Sequence, residues 1–252
     1  MTEENFTGPL LRRNALMVLG TGTGVGKTVV ARAIAALWKL RGEEVCSVKP
    51  VETGSSPGPD GHPRWTDSAS HWECSSPRGR ALIVAAGVAP EEPCFGFPPP
   101  IAPWTASLLA GTPISFGELT GWLRSLAARC GEQGIRLLAE GAGGVLVPLS
   151  ETECFADLAR ESGLPVLLVG RTELGTINHT LLSVEALERR GVELAGVVLS
   201  RQRGGPWSLA EEAGLRELGI LLHGRTPLFA IAGEAEGLEA APLLEPPPPS
   251  WG

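Results

Sequence analysis

Positive charge is in short supply: Lys and Arg total 21 against 28 Asp and Glu, a formal net charge of −7. Phosphate backbones require a basic face, so this balance excludes nucleic acid as the main partner and implies only a soluble, acidic surface. No apolar run reaches the roughly 18 residues that a membrane span requires, which excludes a helical membrane protein. The first residues, Met1-Thr-Glu-Glu-Asn-Phe, are acidic and carry no apolar signal segment. The five cysteines (Cys46, Cys74, Cys94, Cys130 and Cys154) are odd in number and never spaced Cys-x-x-Cys. That usage argues against a disulfide framework or a zinc site and predicts reduced thiols in a cytoplasmic protein. There is no internal repeat.

What is present suits one α/β domain. The chain has 252 residues, 43% of them hydrophobic, enough to bury a sizeable core without staples. Residues 1–14 read as a flexible arm, 15–244 as a single domain, and 245–252, with four consecutive prolines from Pro246 to Pro249, as a Pro-rich tail. Strands are expected at 15–19, 44–49, 136–140, 165–169 and 194–200, with weaker ones at 81–86 and 219–222. Helices are expected at 26–40, 115–129, 176–190 and 208–218. The strand segments are apolar on both faces, as in a parallel sheet covered on both sides. Strand–helix alternation then implies right-handed crossovers and a doubly wound, mostly parallel sheet. Two long loops, 50–66 and 90–103, are rich in Pro, Gly and Ser, and loops of that length are usually functional.

Between the first strand and first helix lies Gly-Thr-Gly-Thr-Gly-Val-Gly-Lys-Thr, residues 20–28. Glycines let such a loop curl its N–H groups towards phosphate oxygens, and the helix N-terminus adds partial positive charge. Thr23, Gly24, Val25, Gly26 and Val29 are the expected backbone contacts. Lys27 is placed for the β- and γ-phosphates, and the Thr28 hydroxyl for Mg²⁺. The glycine that ordinarily stands five residues before Gly26 is here Thr21, and the leading glycine is Gly20.

Ligands of open α/β sheets sit beyond the carboxyl ends of the strands. The second strand ends in Lys49, which would neutralise charge on a transferring phosphoryl group or an anionic substrate. The third main strand ends in Glu140, followed by Gly141, Ala142, Gly143 and Gly144, and a carboxylate there is the expected second anchor for Mg²⁺. Asp67 reads equally as a further ligand or as the N-cap of a short helix, with Asp60 the weaker competitor. Thr176 reads as the N-cap of a helix whose first turn contains Asn178, a second place for a carboxylate. His179 beside it reads as a packed or surface imidazole. Ser200 and Arg201, at the next strand end, are where a base would be read.

Together these segments resemble the dethiobiotin synthetase family. The match is carried by residues 20–28, 49–54 (Lys-Pro-Val-Glu-Thr-Gly), 140–150 (Glu-Gly-Ala-Gly-Gly-Val-Leu-Val-Pro-Leu-Ser), 175–181 (Gly-Thr-Ile-Asn-His-Thr-Leu) and 194–200, in that order. The offset glycine at position 20 is the form this family uses. The resemblance implies an ATP-dependent ligase that makes the ureido ring of dethiobiotin from 7,8-diaminononanoate and CO₂ or bicarbonate. It implies Mg²⁺ as cofactor, held by Thr28, Asp67 and Glu140, with Lys49 and Lys27 catalytic. It assigns Thr53 and Gly144, with Lys49, to the substrate, and Ser200, Arg201 and Pro227 to the nucleotide. Thr176 and Asn178 would receive the substrate carboxylate from the other subunit of a homodimer.

Three places depart from the family pattern: Gly24, where an acidic residue is common; Pro103-Trp104, where Pro-His is usual; and Ser200, where the family uses asparagine to read adenine. Two other readings compete. A partition-type switch ATPase carries an early signature lysine, but here Gly22 occupies that place. A non-catalytic nucleotide-sensing module would tend to lose Lys49 or the carboxylates, and both are kept.

Overall fold

The computed structural model describes residues 10–58, 61–201, 207–232 and 244–245. Its main sheet has seven strands in the order β11-β10-β9-β8-β1-β7-β2. They are β1 (Ala15–Gly20), β2 (Glu44–Val48), β7 (Ile135–Gly144), β8 (Val166–Arg171), β9 (Leu194–Arg201), β10 (Leu228–Ala232) and β11 (Leu244–Glu245). Every neighbouring pair is parallel except β10 with β11. The helices are α1 (Lys27–Leu40), α2 (Thr66–Cys74), α3 (Pro77–Ala85), α4 (Pro103–Leu109), α5 (Phe116–Glu132), α6 (Phe155–Ser162), α7 (Thr176–Glu188) and α8 (Leu209–Leu221). None of the described helices is long and apolar enough to cross a membrane.

The expected doubly wound sheet is present, and alternation along each strand explains it. On β1, Leu16 and Val18 face one core, with Val30 and Ile34 of α1, while Met17 and Leu19 face the other. That second core takes Leu119 and Leu123 from α5, Leu158 from α6 and Leu187 from α7. Both faces of a strand are therefore buried, which is why its sequence reads as a continuous apolar run.

Three expectations need correcting. The strand expected at 81–86 belongs to α3: Ser76 accepts a hydrogen bond from the Gly79 N–H and Pro77 opens the first turn, start signals that outweigh the short apolar run. The strand expected at 219–222 is the end of α8, where Leu215, Leu218 and Leu222 are buried at helical spacing. The last parallel strand is β10 instead. Finally, the expected arm is not loose from Leu10 onward. Leu10 and Leu11 are buried against α1, and the Trp38 indole donates to the Leu11 carbonyl at 3.1 Å. Glu245, assigned to the tail, pairs with Ala230 in β11; residues 1–9 and 246–252 lie outside the described residues.

The outer side of β2 is closed without another strand. The Ser47 N–H donates to Ser75 Oγ at 2.8 Å and the Val45 N–H to Ser76 Oγ at 3.3 Å, while the Ser76 N–H donates to the Val45 carbonyl at 2.8 Å. The α3 backbone comes so near that a Cβ at Gly79 would lie 2.0 Å from the Val45 oxygen. The described parts of the long loops carry short strands: β3 (Val51–Thr53) pairs in parallel with β6 (Phe95–Phe97), and β4 (Ser56–Pro57) pairs with β5 (Pro63–Arg64). Asp60 lies outside the described residues.

Candidate active site

The loop between β1 and α1 ends on Gly26, the helix N-cap, with φ of 95° and no side-chain cap. Only glycine takes that conformation readily, and a Cβ there would lie 2.5 Å from Ser200 Oγ. The first-turn N–H groups of α1 are thus left to an anion, together with the helix's positive end. They open onto a cavity of about 570 Å³ at the carboxyl end of the sheet. Its floor comes from Thr23, Gly24, Gly26, Lys27, Thr28 and Val29, and its walls from Lys49, Thr53, Asp67, Glu140, Ala142 and Gly143. Val25 points instead into the core beside α1.

At the cavity's deep end, three elements converge on one charge cluster. The Lys49 ammonium, just past β2, donates to Glu140 Oε1 at 2.5 Å and Asp67 Oδ2 at 2.8 Å, and to the Gly141 carbonyl at 3.3 Å. Thr28 Oγ1 lies 3.0 Å from Glu140 Oε1 and 3.2 Å from Asp67 Oδ1, sharing its single proton between them. Lys49 and Glu140 are almost fully buried. Burial alone would push the Glu140 carboxyl up, but the Lys49 ammonium, aided by a hydrogen bond from His71, holds it well below the usual carboxylate range. For Lys49, burial opposes the charge, and Glu140 and Asp67 outweigh it, so its pKa is raised. Lys27 is lowered to about 8 by burial and then by Lys49, with Glu140 and Asp67 offsetting part of this. Its ammonium donates to the Gly22 carbonyl at 3.0 Å.

Asp67 owes its place to α2. That helix is capped by Trp65, which has no side-chain acceptor. The Glu52 carboxylate of β3 substitutes, accepting the N–H groups of Asp67 and Ser68 at 3.0 and 2.8 Å. Asp67 is therefore in the first turn and is not the N-cap. Sequence reasoning missed Glu52 and also His71, whose Nε2 lies 2.9 Å from Glu140 Oε2. The signal for His71 was its spacing: four residues after Asp67, it lies on the same helical face. A hydroxyl and two carboxylates are hard oxygen donors of the kind Mg²⁺ takes alongside nucleotide phosphates. The Lys49 ammonium lies between the two carboxylates and offsets their charge.

The remaining expected residues lie elsewhere. Thr176 is the first residue of α7 and not its cap, which is Gly175 with φ of 95° and no side-chain cap. Asn178 and His179 are exposed. Gly144, His179, Thr21 and Val147 line a separate groove of about 440 Å³ on the other side of the phosphate loop. Ser200 is buried under Gly26, outside the main cavity. Arg201 donates to Glu211 at 3.0 Å and lies 4.8 Å from the Trp207 ring. Pro227 is a correction: its carbonyl accepts the Val197 N–H before β10 begins. It therefore sits at the amino end of the strands, opposite the phosphate loop.

A family model described as an AAA domain (AAA_26) matches residues 14–231. Over 186 residues the chain is 41% identical to the ATP-dependent dethiobiotin synthetase BioD of Anaeromyxobacter sp. (strain K), covering 74% of this chain and 76% of that one. Identity to the protein of the same name from Anaeromyxobacter dehalogenans (strain 2CP-1) is 42% over 186 residues, with the same coverage. The Mycobacterium leprae (strain TN) protein of that name is 35% identical over 229 residues, 90% of this chain and 92% of that one. With matches of this length, the chain belongs to the dethiobiotin synthetase family of ATP-dependent ligases.

Proposed function

We propose that this chain closes the ureido ring of dethiobiotin. The substrates are 7,8-diaminononanoate, CO₂ or bicarbonate, and ATP. One amine with CO₂ gives a carbamate; its oxygen attacks the γ-phosphorus, releasing ADP and leaving a carbamic-phosphoric anhydride. The second amine then attacks the carbamoyl carbon and inorganic phosphate departs, its proton lost to solvent.

The observation that carries this reading is the Lys49 ammonium between Asp67 and Glu140, beside Thr28 at the start of α1. A carbamate is a weak anionic nucleophile approaching an anionic phosphate, so the protein's task is alignment and charge neutralisation. Lys27 and the loop N–H groups bind the phosphates, and Lys49 offsets charge on the carbamate and the transferring group. Thr28, Asp67 and Glu140 would hold Mg²⁺, which supplies further positive charge to the phosphate oxygens. Thr53 lines the same cavity as Lys49 and suits the diamine end. The uncapped start of α7 at Thr176 and Asn178, beside the groove that includes Gly144, suits the distant carboxylate of substrate held by a second copy of the chain.

The test is direct. Incubation with 7,8-diaminononanoate, bicarbonate and Mg·ATP should give dethiobiotin by mass, dependent on all three. Folded, nucleotide-binding protein that yields none would overturn the proposal.

A further inference from the structure

We propose that His71 is a positioning residue that fixes the orientation of Glu140 for cation binding. This rests on reading Glu140 as a ligand of Mg²⁺. The imidazole is 2% exposed and bridges two strands. Its Nε2 lies 2.9 Å from Glu140 Oε2, and its Nδ1 lies 2.6 Å from Ser47 Oγ on β2. A carboxylate can only accept, so Nε2 carries the proton, and a neutral ring then accepts the Ser47 hydroxyl proton at Nδ1.

The consequence is a division of labour between the two Glu140 oxygens. Oε2 is held by His71, and Oε1 faces Thr28 and Lys49. Without the imidazole N–H, Oε2 is a buried acceptor with no partner and the carboxylate is free to rotate. Outer-sphere partners of this kind typically matter by about 10–100-fold in metal affinity. The order Ser47, His71, Glu140 resembles a hydrolytic triad, but Ser47 is 1% exposed. The adjoining cavity, about 10 Å³, has no room for an acyl group. His71 therefore acts through Glu140 and not on substrate.

The test is ADP affinity by calorimetry, with Mg²⁺ and with chelator, for wild type, His71→Gln and His71→Asn. A glutamine amide lies where Nε2 was and retains donation to Glu140; an asparagine amide lies where Nδ1 was and does not. His71→Gln should keep the Mg²⁺-dependent gain within about 3-fold, whereas His71→Asn should lose about 10–100-fold of it, with chelator affinity unchanged in both. An undiminished gain in His71→Asn, or equal losses in the two variants, would overturn the proposal. A wild type without any Mg²⁺-dependent gain would overturn the reading of Glu140 as a ligand, and this inference with it. Should the variants not fold, the ¹⁵N shifts of His71 in wild-type protein decide: an Nε2–H tautomer supports the assignment and an Nδ1–H tautomer refutes it.

Discussion

At the scale of the residue, Lys49 joins the charged groups of the candidate site. It is buried, yet charged, because two carboxylates meet it within 2.8 Å. Replacing Lys49 by alanine should lower turnover by about 10²–10³-fold, the usual cost of losing one charge-stabilising donor at a transition state. Affinity for Mg·ATP should remain within a few fold, because the loop and Lys27 are intact; wild-type turnover in the variant would remove Lys49 from the mechanism. Ser200 supports a second expectation. A hydroxyl cannot make the paired hydrogen bonds that an amide makes to an adenine edge, and this one is buried against Gly26. Turnover with ATP, CTP and GTP should therefore differ by less than about 10-fold, the factor that corresponds to about 1.4 kcal/mol. A strong preference for ATP would contradict this. Lys27, Thr28, Lys49 and Glu140 were legible from sequence because each stands at a strand or helix end marked by glycine or by a sharp change of polarity. Glu52 and Ser47 were not, since their partners lie 15 or more residues away and no local pattern records them, and His71 offered only its spacing of four residues from Asp67.

At the scale of the element, capping decided what could be read. Ser115 and Ser208 accept first-turn N–H groups of α5 and α8, and both helices were expected within a few residues of their observed starts. For the α2 helix the sequence offered only Asp67 as a candidate cap, whereas the first-turn N–H groups are taken by Glu52 from another strand. Segments 81–86 and 219–222 were misread for a related reason: a short apolar run does not distinguish a buried strand from one face of a helix. The α1 helix shows how far packing extends beyond what local pattern shows. Its Trp38 lies fully buried with Leu10 and Leu11, residues that the sequence assigns to the flexible arm. Leu11→Ala should cost about 2–5 kcal/mol, the range for deleting a buried leucine side chain. Urea unfolding would measure it, and a loss under about 0.5 kcal/mol, typical of surface positions, would mean that this segment does not hold α1.

At the scale of the whole molecule, β8, β9 and α8 are joined by one carboxylate. Glu211 accepts hydrogen bonds from Ser208, Arg201 and Thr172. Burial would raise its pKa, but those donors bring it from 4.5 to about 2. A carboxyl with a depressed folded-state pKa adds stability that is fully present above its unfolded value and is lost as pH falls through the folded one. The stability advantage of wild type over Glu211→Gln should thus be full at about pH 7 and smaller at about pH 3. An advantage independent of pH would show that the network does not stabilise the fold through this charge.

The strand that delivers Lys49 is also the last in its row, and a strand in that position ordinarily offers its bare backbone to any extended chain nearby. Here Ser75 and Ser76 already occupy the amides of Val45 and Ser47. Lys49 therefore sits beside a margin that cannot be lengthened. A neighbouring copy finds no template there on which to add a strand, and growth of the sheet by repetition stops at the side of the candidate site.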